Sequence, residues 1–202
     1  GQAMTAFAHP TDLELAALIS SKICHDVIGP VGAIYNGIEI LDEDKDADAK
    51  SYAMDVIRNV TEQARARLEF ARFAFGAAGS AGSQIDLGMA AGLAQAFVGN
   101  TKHRLKITGA SGYMAKDKVK LLLNLISSAT TALPRGGDIE VVISGGPEQP
   151  TFMMSCRGTG ARFPQYLAEY VAGDQAPAAS ARITLAAGSA ILLAPFVLAA
   201  LG

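Results

Sequence analysis

Apolar residues recur every three or four positions along the first part of the chain, in two separate runs. The first run comprises Ile23, Val27, Pro30, Ile34, Ile38 and Leu41, and the second comprises Ala53, Ile57, Val60, Ala64, Leu68, Ala71 and Phe75. This spacing is typical of a helix with one buried face. The acidic stretch DEDKDADA between the runs interrupts the pattern and predicts a turn. Thr11 and Glu14 form a T-x-x-E capping box, so the first helix is predicted from about Thr11 to about Asp42, and the second ends at Gly76.

The two helices predict a hairpin that cannot bury both of its apolar stripes against itself. Two hairpins commonly bury such stripes together in a four-helix bundle made by two chains. The sequence therefore predicts a homodimer, with residues 11–76 as the dimerisation domain.

The segment GAAGSAGS, residues 76–83, has the composition of a flexible linker and predicts a domain boundary. Beyond it, LGMAAGLAQAFV and KDKVKLLLNLISSATTAL have helical patterns, whereas HRLKIT, DIEVVIS and TFMMSC are typical of strands. A short helix over residues 164–172 and an apolar C-terminal helix complete the second predicted domain, residues 83–202. The predicted fold class is α+β, with a helical hairpin followed by an α/β sandwich.

Composition and charge narrow the classes of function. The formal net charge is −2 and the 17 lysines and arginines are scattered, which argues against nucleic-acid binding. Cys24 and Cys156 have no C-x-x-C spacing, which fits a reducing cytoplasm rather than a disulfide scaffold. The histidines lack the spacing of metal ligands, so no metal site is predicted. The uncharged run from Ile183 to Leu201 has about the length of a membrane span. Because its alanines contribute little to insertion, a buried helix without membrane association is predicted instead.

His25 lies on the outer side of the first predicted helix. At about 100° per residue it projects roughly 180° from the centre of the apolar stripe. Its neighbours on this outer face are Ser21, Ile28, Gly29, Gly32 and Asn36. The ordinary interpretation of such a histidine is a solvated surface residue.

Three features beside His25 favour a reacting group instead. Asp26 is adjacent and can accept a hydrogen bond that fixes the imidazole tautomer, which leaves the other ring nitrogen free as a nucleophile. Pro30 has no N–H and its ring crowds the carbonyl of Asp26, so a bend or a loosened hydrogen bond is expected nearby. Gly29 and Gly32 would let a partner approach the helix closely.

The string His25-Asp26-x-x-x-Pro30, followed by VGAIYNGIEIL, resembles the phosphoacceptor box of two-component signalling proteins. Over most of its length the chain resembles the ChpT-type histidine phosphotransferases of alphaproteobacteria. The resemblance implies a dimeric, kinase-like hairpin followed by a degenerate domain of the Bergerat type, the fold of kinase ATPase domains. It also implies that His25 relays a phosphoryl group between aspartates of receiver domains in response regulators or hybrid kinases. No cofactor is then expected on this chain, since Mg²⁺ would come with the receiver.

The hypothesis of phosphotransfer through His25 gives its neighbours roles. Asp26 would orient His25 and stabilise its developing positive charge, and Lys22 would attract the phosphoryl oxygens. The predicted docking surface for the receiver comprises Ser21, Lys22, Ile28, Gly29, Gly32 and Asn36.

The second predicted domain departs from a working kinase where ATP would bind. Ser128 stands where such kinases have a metal-binding asparagine, although Asn124 matches their pattern. Cys156 stands where the D-x-G-x-G motif has its adenine-binding aspartate, and a thiol cannot replace that carboxylate as a hydrogen-bond acceptor. ATP binding is therefore not expected. Two alternatives stay open: an ATP-dependent sensor kinase core, and a non-catalytic dimeric binding module.

Overall fold

A computed structural model describes residues 11–76, 83–99, 101–147, 149–162, 180–185 and 190–195. The chain divides into two compact units, Gly1–Leu68 and Glu69–Gly202. The first unit is helical, and the second combines helices with sheet. The predicted α+β class is therefore confirmed.

The first unit is built from two long helices, α1 (Asp12–Glu43) and α2, which begins at Ala47 and ends at Phe75. The predicted capping box is confirmed: the Oγ1 atom of Thr11 accepts from the Glu14 N–H at 3.3 Å, and a Glu14 carboxylate oxygen accepts from the Thr11 N–H at 2.8 Å. The turn between the helices is shorter than the acidic stretch that predicted it. Carboxylates in this turn accept from backbone N–H groups two residues ahead, which explains why acidic residues occupy it.

Helix α1 buries little of its surface. Pro30 and Gly37 are its buried residues, whereas several large apolar side chains are exposed: Leu13, Leu18, Ile28, Val31, Tyr35, Ile38 and Ile40. By length and composition α1 is the one helix in the described part of the chain that could cross a membrane. Apolar helices of soluble proteins pass the same test, so this is weak support for a span.

The second unit contains the last turns of α2 and two sheets. Its elements are β1 (Gln84–Asp86), α3 (Leu87–Gly99), β2 (His103–Gly109), β3 (Tyr113–Ala115), α4 (Lys116–Ala132), β4 (Gly137–Gly145), β5 (Pro150–Arg157), β6 (Ser180–Leu185) and β7 (Ala190–Pro195). The larger sheet has the order β2-β4-β5-β6-β7. Its β2–β4 and β5–β6 pairs are parallel, and its β4–β5 and β6–β7 pairs are antiparallel. Strands β1 and β3 form a separate antiparallel pair.

The core of the second unit lies between one face of the larger sheet and helices α3 and α4. Alternate residues of β4 and β5 are buried: Ile139, Val141, Ile143, Phe152, Met154 and Cys156. This alternation is the period of a strand with one covered face. The end of α2 joins the same core, because Phe70 stacks on Phe97 with ring centroids 4.0 Å apart.

The strands and helices predicted over residues 84–157 are present, but one expectation in this domain was wrong and one pair of strands was not predicted. The apolar C-terminal helix is not formed over residues 180–185 and 190–195, where β6 and β7 pair antiparallel instead. A short apolar run bounded by turn residues suits a buried strand as well as a buried helix, and periodicity alone cannot separate the two. The pair β1 and β3 was missed, since three-residue strands carry almost no periodic signal. The helix predicted over 164–172 and most of the GAAGSAGS linker lie outside the described residues.

Candidate functional site

His25 projects from α1 into solvent, with 88% of its side chain exposed. The prediction that it is not a core residue is confirmed. Its predicted neighbours are exposed as well: Ser21, Lys22, Ile28, Gly29, Gly32 and Asn36. Because these positions are three, four, seven or eleven residues from His25, or flank it, they lie on one side of the helix. The residue types predicted for a docking surface are thus accessible together in this unit.

Asp26 is partly buried, and its carboxylate lies near Lys22 and His25, which both precede it in α1. Its Oδ2 atom lies 3.2 Å from Nζ of Lys22, one turn earlier, in an ion pair. Its Oδ1 atom lies 3.7 Å from Nδ1 of His25, which is beyond hydrogen-bond length. The carboxylate and the imidazole are therefore neighbours without a hydrogen bond between them.

Pro30 leaves the carbonyl of Asp26 without its helical donor, and α2 supplies a replacement. In an α-helix the N–H of residue 30 would bond to the carbonyl of residue 26, but proline has no N–H. The Nη1 atom of Arg67 donates to this carbonyl oxygen at 2.7 Å. The sequence predicted that the helical hydrogen bond would be lost or weakened beside His25. In the structure the Asp26 carbonyl accepts a hydrogen bond from a charged donor of the second helix instead.

The glycines of α1 fall into two groups. A Cβ atom added at Gly29 or Gly32 would meet nothing within 4 Å among the described residues. A Cβ atom added at Gly37 would lie 2.7 Å from Cγ1 of Ile57. Gly37 therefore lets α2 pack closely against α1, whereas Gly29 and Gly32 leave bare backbone on the face that carries His25.

Comparison with known proteins places this chain in a family. A family model described as the histidine phosphotransferase C-terminal domain matches residues 87–194. Protein phosphotransferase ChpT of Brucella abortus (strain 2308) is 45% identical over 161 residues, which make up 80% of this chain and 76% of that protein. The chain belongs to the histidine phosphotransferase family. A solved structure of a bacterial phosphotransferase, 34% identical, matches with a TM-score of 0.74 over 92% of this chain and 97% of its own.

Family membership confirms the predicted resemblance and gives the chain the role of a histidine phosphotransferase in a phosphorelay. The family model covers the second unit, whereas His25 lies outside the matched residues. The assignment of individual site residues therefore depends on the geometry of α1 and stays a prediction.

In this phosphotransferase, polar residues of α4 bind the end of α2. The Nδ2 atom of Asn124 donates to the carbonyl of Ala74 at 2.9 Å, and Nζ of Lys120 donates to the carbonyl of Gly76 at 2.7 Å. The last carbonyls of a helix lack intrahelical donors, so these side chains satisfy them. Burial, and to a lesser degree the charge of Lys116, lower the pKa of Lys120.

The two positions that depart from the kinase pattern are part of ordinary packing in the phosphotransferase. Ser128 donates its hydroxyl to the carbonyl of Asn124 at 3.0 Å, one turn back along α4. Cys156 is fully buried in β5 within the core, and this burial raises the pKa of its thiol to about 12. Gly158 packs against the carbonyl of Gly136. The turn before β4, which contains Gly136, therefore contacts the turn after β5, which contains Gly158, at one end of the sheet.

A cationic cleft of about 650 Å³ lies beside these turns. Its lining includes Lys102, Arg104, Arg135, Asp138 and Arg157. Arg104 donates to a carboxylate oxygen of Asp138 at 2.6 Å, and this hydrogen bond lowers the pKa of Asp138. The cleft is open and positively charged, but it holds neither of the positions that would contact adenine or magnesium in a kinase.

Sequence reasoning missed Arg67 and the α4 side chains that bind the end of α2. The sequence did contain a signal for Arg67. It is a cation within the otherwise apolar stripe of α2, and the facing helix has a proline in its interior. The sequence indicated that the Asp26 carbonyl needed a donor, but it could not say which residue of the other helix would reach it. For Asn124 the kinase pattern suggested a different role, and the contact with Ala74 spans 50 residues.

Proposed function

We propose that this phosphotransferase relays a phosphoryl group between receiver-domain aspartates through a phosphohistidine at His25. The observation that carries the proposal is the placement of the imidazole: it is almost fully exposed, next to a carboxylate and beside two glycines that leave the helix backbone open. A receiver domain could therefore bring its phospho-aspartate to the ring without displacing any side chain of this unit.

The bonds that form and break in the transfer involve only the imidazole and the receiver's phospho-aspartate. With its proton on Nδ1, neutral His25 attacks the phosphorus through Nε2. The bond between phosphorus and the aspartate oxygen breaks, the carboxylate leaves, and the ring carries the positive charge that develops. Asp26 stabilises that charge, and the Mg²⁺ that neutralises the phosphoryl oxygens belongs to the receiver. Reversal of the same step onto a second receiver completes the relay.

The proposed docking surface comprises Ser21, Lys22, Ile28, Gly29, Gly32 and Asn36. Ile28 is 70% exposed, so it offers a docked receiver an apolar side chain to bury beside the two glycines. Lys22 forms an ion pair with Asp26 one turn from His25. Its ammonium group would attract the phosphoryl oxygens of a docked receiver from that position. We propose that these residues contact the receiver and hold its phospho-aspartate in line with Nε2.

We propose that the hairpin forms a four-helix bundle with a second copy of the chain. Val31, Tyr35 and Ile38 are exposed on one face of α1 and lie within about 60° of one another around the helix axis. Such a face exposes a contiguous apolar surface to water unless a second hairpin covers it. Burial of this face in a dimer also accounts for the apolar character of α1 without a membrane, which supports a cytoplasmic location.

We propose that residues 83–202 are a degenerate domain of the Bergerat type that does not bind ATP, and that residues 11–76 form the dimerisation and phosphoacceptor domain. The absence of a carboxylate at Cys156 and the engagement of Asn124 with α2 support the loss of nucleotide chemistry. An ATP-dependent kinase and a non-catalytic binding module are the competing functions.

A transfer assay separates the three functions. The protein is mixed with a ³²P-labelled phospho-receiver and Mg²⁺, and alkali-stable, acid-labile label is measured on wild type, His25→Gln and His103→Gln. Label on wild type and His103→Gln but not on His25→Gln supports the relay. Label from ATP alone would favour the kinase, and no label from any receiver of the same organism would favour the binding module.

A further inference from the structure

We propose that Arg67 is a positioning residue for phosphotransfer, and that it acts through the carbonyl of Asp26. The inference rests on the function proposed for His25 and extends it to a residue of the second helix. The observation is the hydrogen bond of 2.7 Å from the Arg67 guanidinium to the carbonyl that Pro30 leaves without a donor.

The hydrogen bond is specific to this point of the helix. Every non-proline residue in a helix interior supplies an N–H to the carbonyl four residues back, so a side chain from a neighbouring helix is not needed there. At Asp26 that N–H is missing, and a partly buried carbonyl without a donor is unfavourable. A guanidinium donates a charge-assisted hydrogen bond and reaches across from α2, which makes it a strong replacement.

The contact fixes the backbone that carries the reacting groups. Asp26 follows His25 directly, and its carboxylate lies between Lys22 and the imidazole. A proline within a helix permits bending where the hydrogen bond is lost. By tying the Asp26 carbonyl to α2, Arg67 prevents that bend and keeps the carboxylate in register with Nδ1 of His25. Transfer between aligned atoms is sensitive to displacements of an ångström or less.

The proposal predicts a specific set of variants. Arg67→Leu removes the donor and replaces it with a side chain that suits the apolar stripe of α2. Pro30→Ala restores a backbone N–H at position 30, which can bond to the Asp26 carbonyl and make Arg67 dispensable. Arg67→Lys keeps one donor and the charge. Arg58→Leu makes the same charge change on an exposed part of α2 and serves as the matched control.

Single-turnover transfer from a saturating phospho-receiver measures the effect, with circular dichroism to verify that each variant is folded. We expect Arg67→Leu to lower the transfer rate about tenfold while the half-saturating receiver concentration is unchanged. Arg67→Lys should retain most of the rate and Arg58→Leu all of it. The double variant Pro30→Ala/Arg67→Leu should transfer as fast as Pro30→Ala alone.

Two results of the transfer assay would overturn the proposal: an unchanged rate in Arg67→Leu, or an equal loss from Arg67→Leu in the Pro30→Ala background. The second result would mean that the charge of Arg67 acts directly rather than through the carbonyl. A readout that needs no receiver keeps the test independent of the proposed function. The ¹⁵N chemical shifts of the His25 ring should indicate less Nδ1-protonated tautomer in Arg67→Leu and the wild-type population in the double variant, and equal populations in all variants would contradict the proposal.

Discussion

Gly37 of α1 lies directly against Ile57 of α2, so that a Cβ atom on the glycine would be 2.7 Å from Cγ1 and 3.0 Å from Cδ1 of the isoleucine. The carbonyl of Ala53 lies on the same side, 3.5 Å from that Cβ position. The two helices of the hairpin are thus in close contact at a residue with no side chain. Gly29 and Gly32, on the same helix, have no such neighbour within the described residues.

Alanine substitution should therefore have opposite effects at these glycines. Alanine is favoured over glycine in a helix interior by about 1 kcal/mol, so Gly29→Ala and Gly32→Ala should stabilise the fold by up to that amount. At Gly37 the methyl group meets Ile57, and overpacking costs about 1–3 kcal/mol, which cancels or exceeds the gain. Urea unfolding of the three variants measures the difference. Equal stabilisation by all three would mean that the helices are not in close contact at Gly37.

The same two stabilising variants should impair transfer. If a receiver packs on bare backbone beside His25, a methyl group at Gly29 or Gly32 would separate the phospho-aspartate from Nε2. We expect the half-saturating receiver concentration to rise about tenfold or more in the single-turnover assay, since displaced interfaces commonly lose 1–2 kcal/mol. A variant that is more stable and transfers less well would identify the glycine as part of the docking surface. Undiminished transfer in both variants would mean that neither glycine contacts the receiver.

Much of the hairpin could be predicted from the sequence because its signals are local. The T-x-x-E box and the apolar spacing each act within one or two turns, and both helices end within a few residues of the expected positions. The interpretation of His25 as an outward residue followed from the same periodicity. Arg67 could not be assigned in this way, because its partner lies 41 residues away and depends on how the helices are aligned.

The second unit was predicted less well at its C-terminal end, for a related reason. An uncharged run is compatible with a buried helix and with strands of a covered sheet, and the choice depends on whether a neighbouring strand offers free backbone groups. Strand β5 offers them to β6, over Thr151 to Cys156. The role of Asn124 also depended on such a tertiary contact, since no local pattern relates it to the end of α2.

Dimerisation should depend on the exposed apolar face of α1. Tyr35→Glu places a charge on that face, where a second hairpin would have to desolvate it. Ile40→Glu makes a matched change at an exposed apolar residue of the same helix, about 140° away around the axis. Sedimentation equilibrium should give twice the chain mass of 20.9 kDa for wild type and Ile40→Glu, and the single mass for Tyr35→Glu. A monomeric wild type would contradict the bundle.

Stability should fall at alkaline pH through Cys156. Burial raises the pKa of this thiol from 9.0 to about 12, so below pH 9 the thiol is neutral in both states and contributes no pH dependence. Between pH 9 and 12 the unfolded chain loses the proton and the folded chain keeps it, which favours unfolding by about 1.4 kcal/mol per pH unit. Urea unfolding at pH 8 and 10.5 should therefore reveal about 2 kcal/mol of destabilisation that Cys156→Ala lacks.

A thiol titration provides the control for that experiment. Cys24 is exposed and Cys156 is buried, so a disulfide reagent at pH 8 should modify one thiol rapidly in the native protein and both in denaturant. Rapid reaction of both thiols in the native state would mean that β5 opens readily, and the pH dependence assigned to Cys156 would then not be expected.

Replacement of Asn124 should lower the stability of the fold, and neither the wild type nor the variant should bind ATP. Its amide binds the carbonyl of Ala74, so Asn124→Ala should cost about 1–2 kcal/mol in urea unfolding, with transfer from a phospho-receiver retained at a temperature where the variant is folded. In a kinase the matching asparagine pattern serves ATP, and the expected signature would be a melting temperature that rises with Mg-ATP in wild type and less in the variant. We expect no such rise in either protein. A rise with millimolar Mg-ATP that Asn124→Ala abolishes would assign this residue to nucleotide binding and would favour the kinase over the relay.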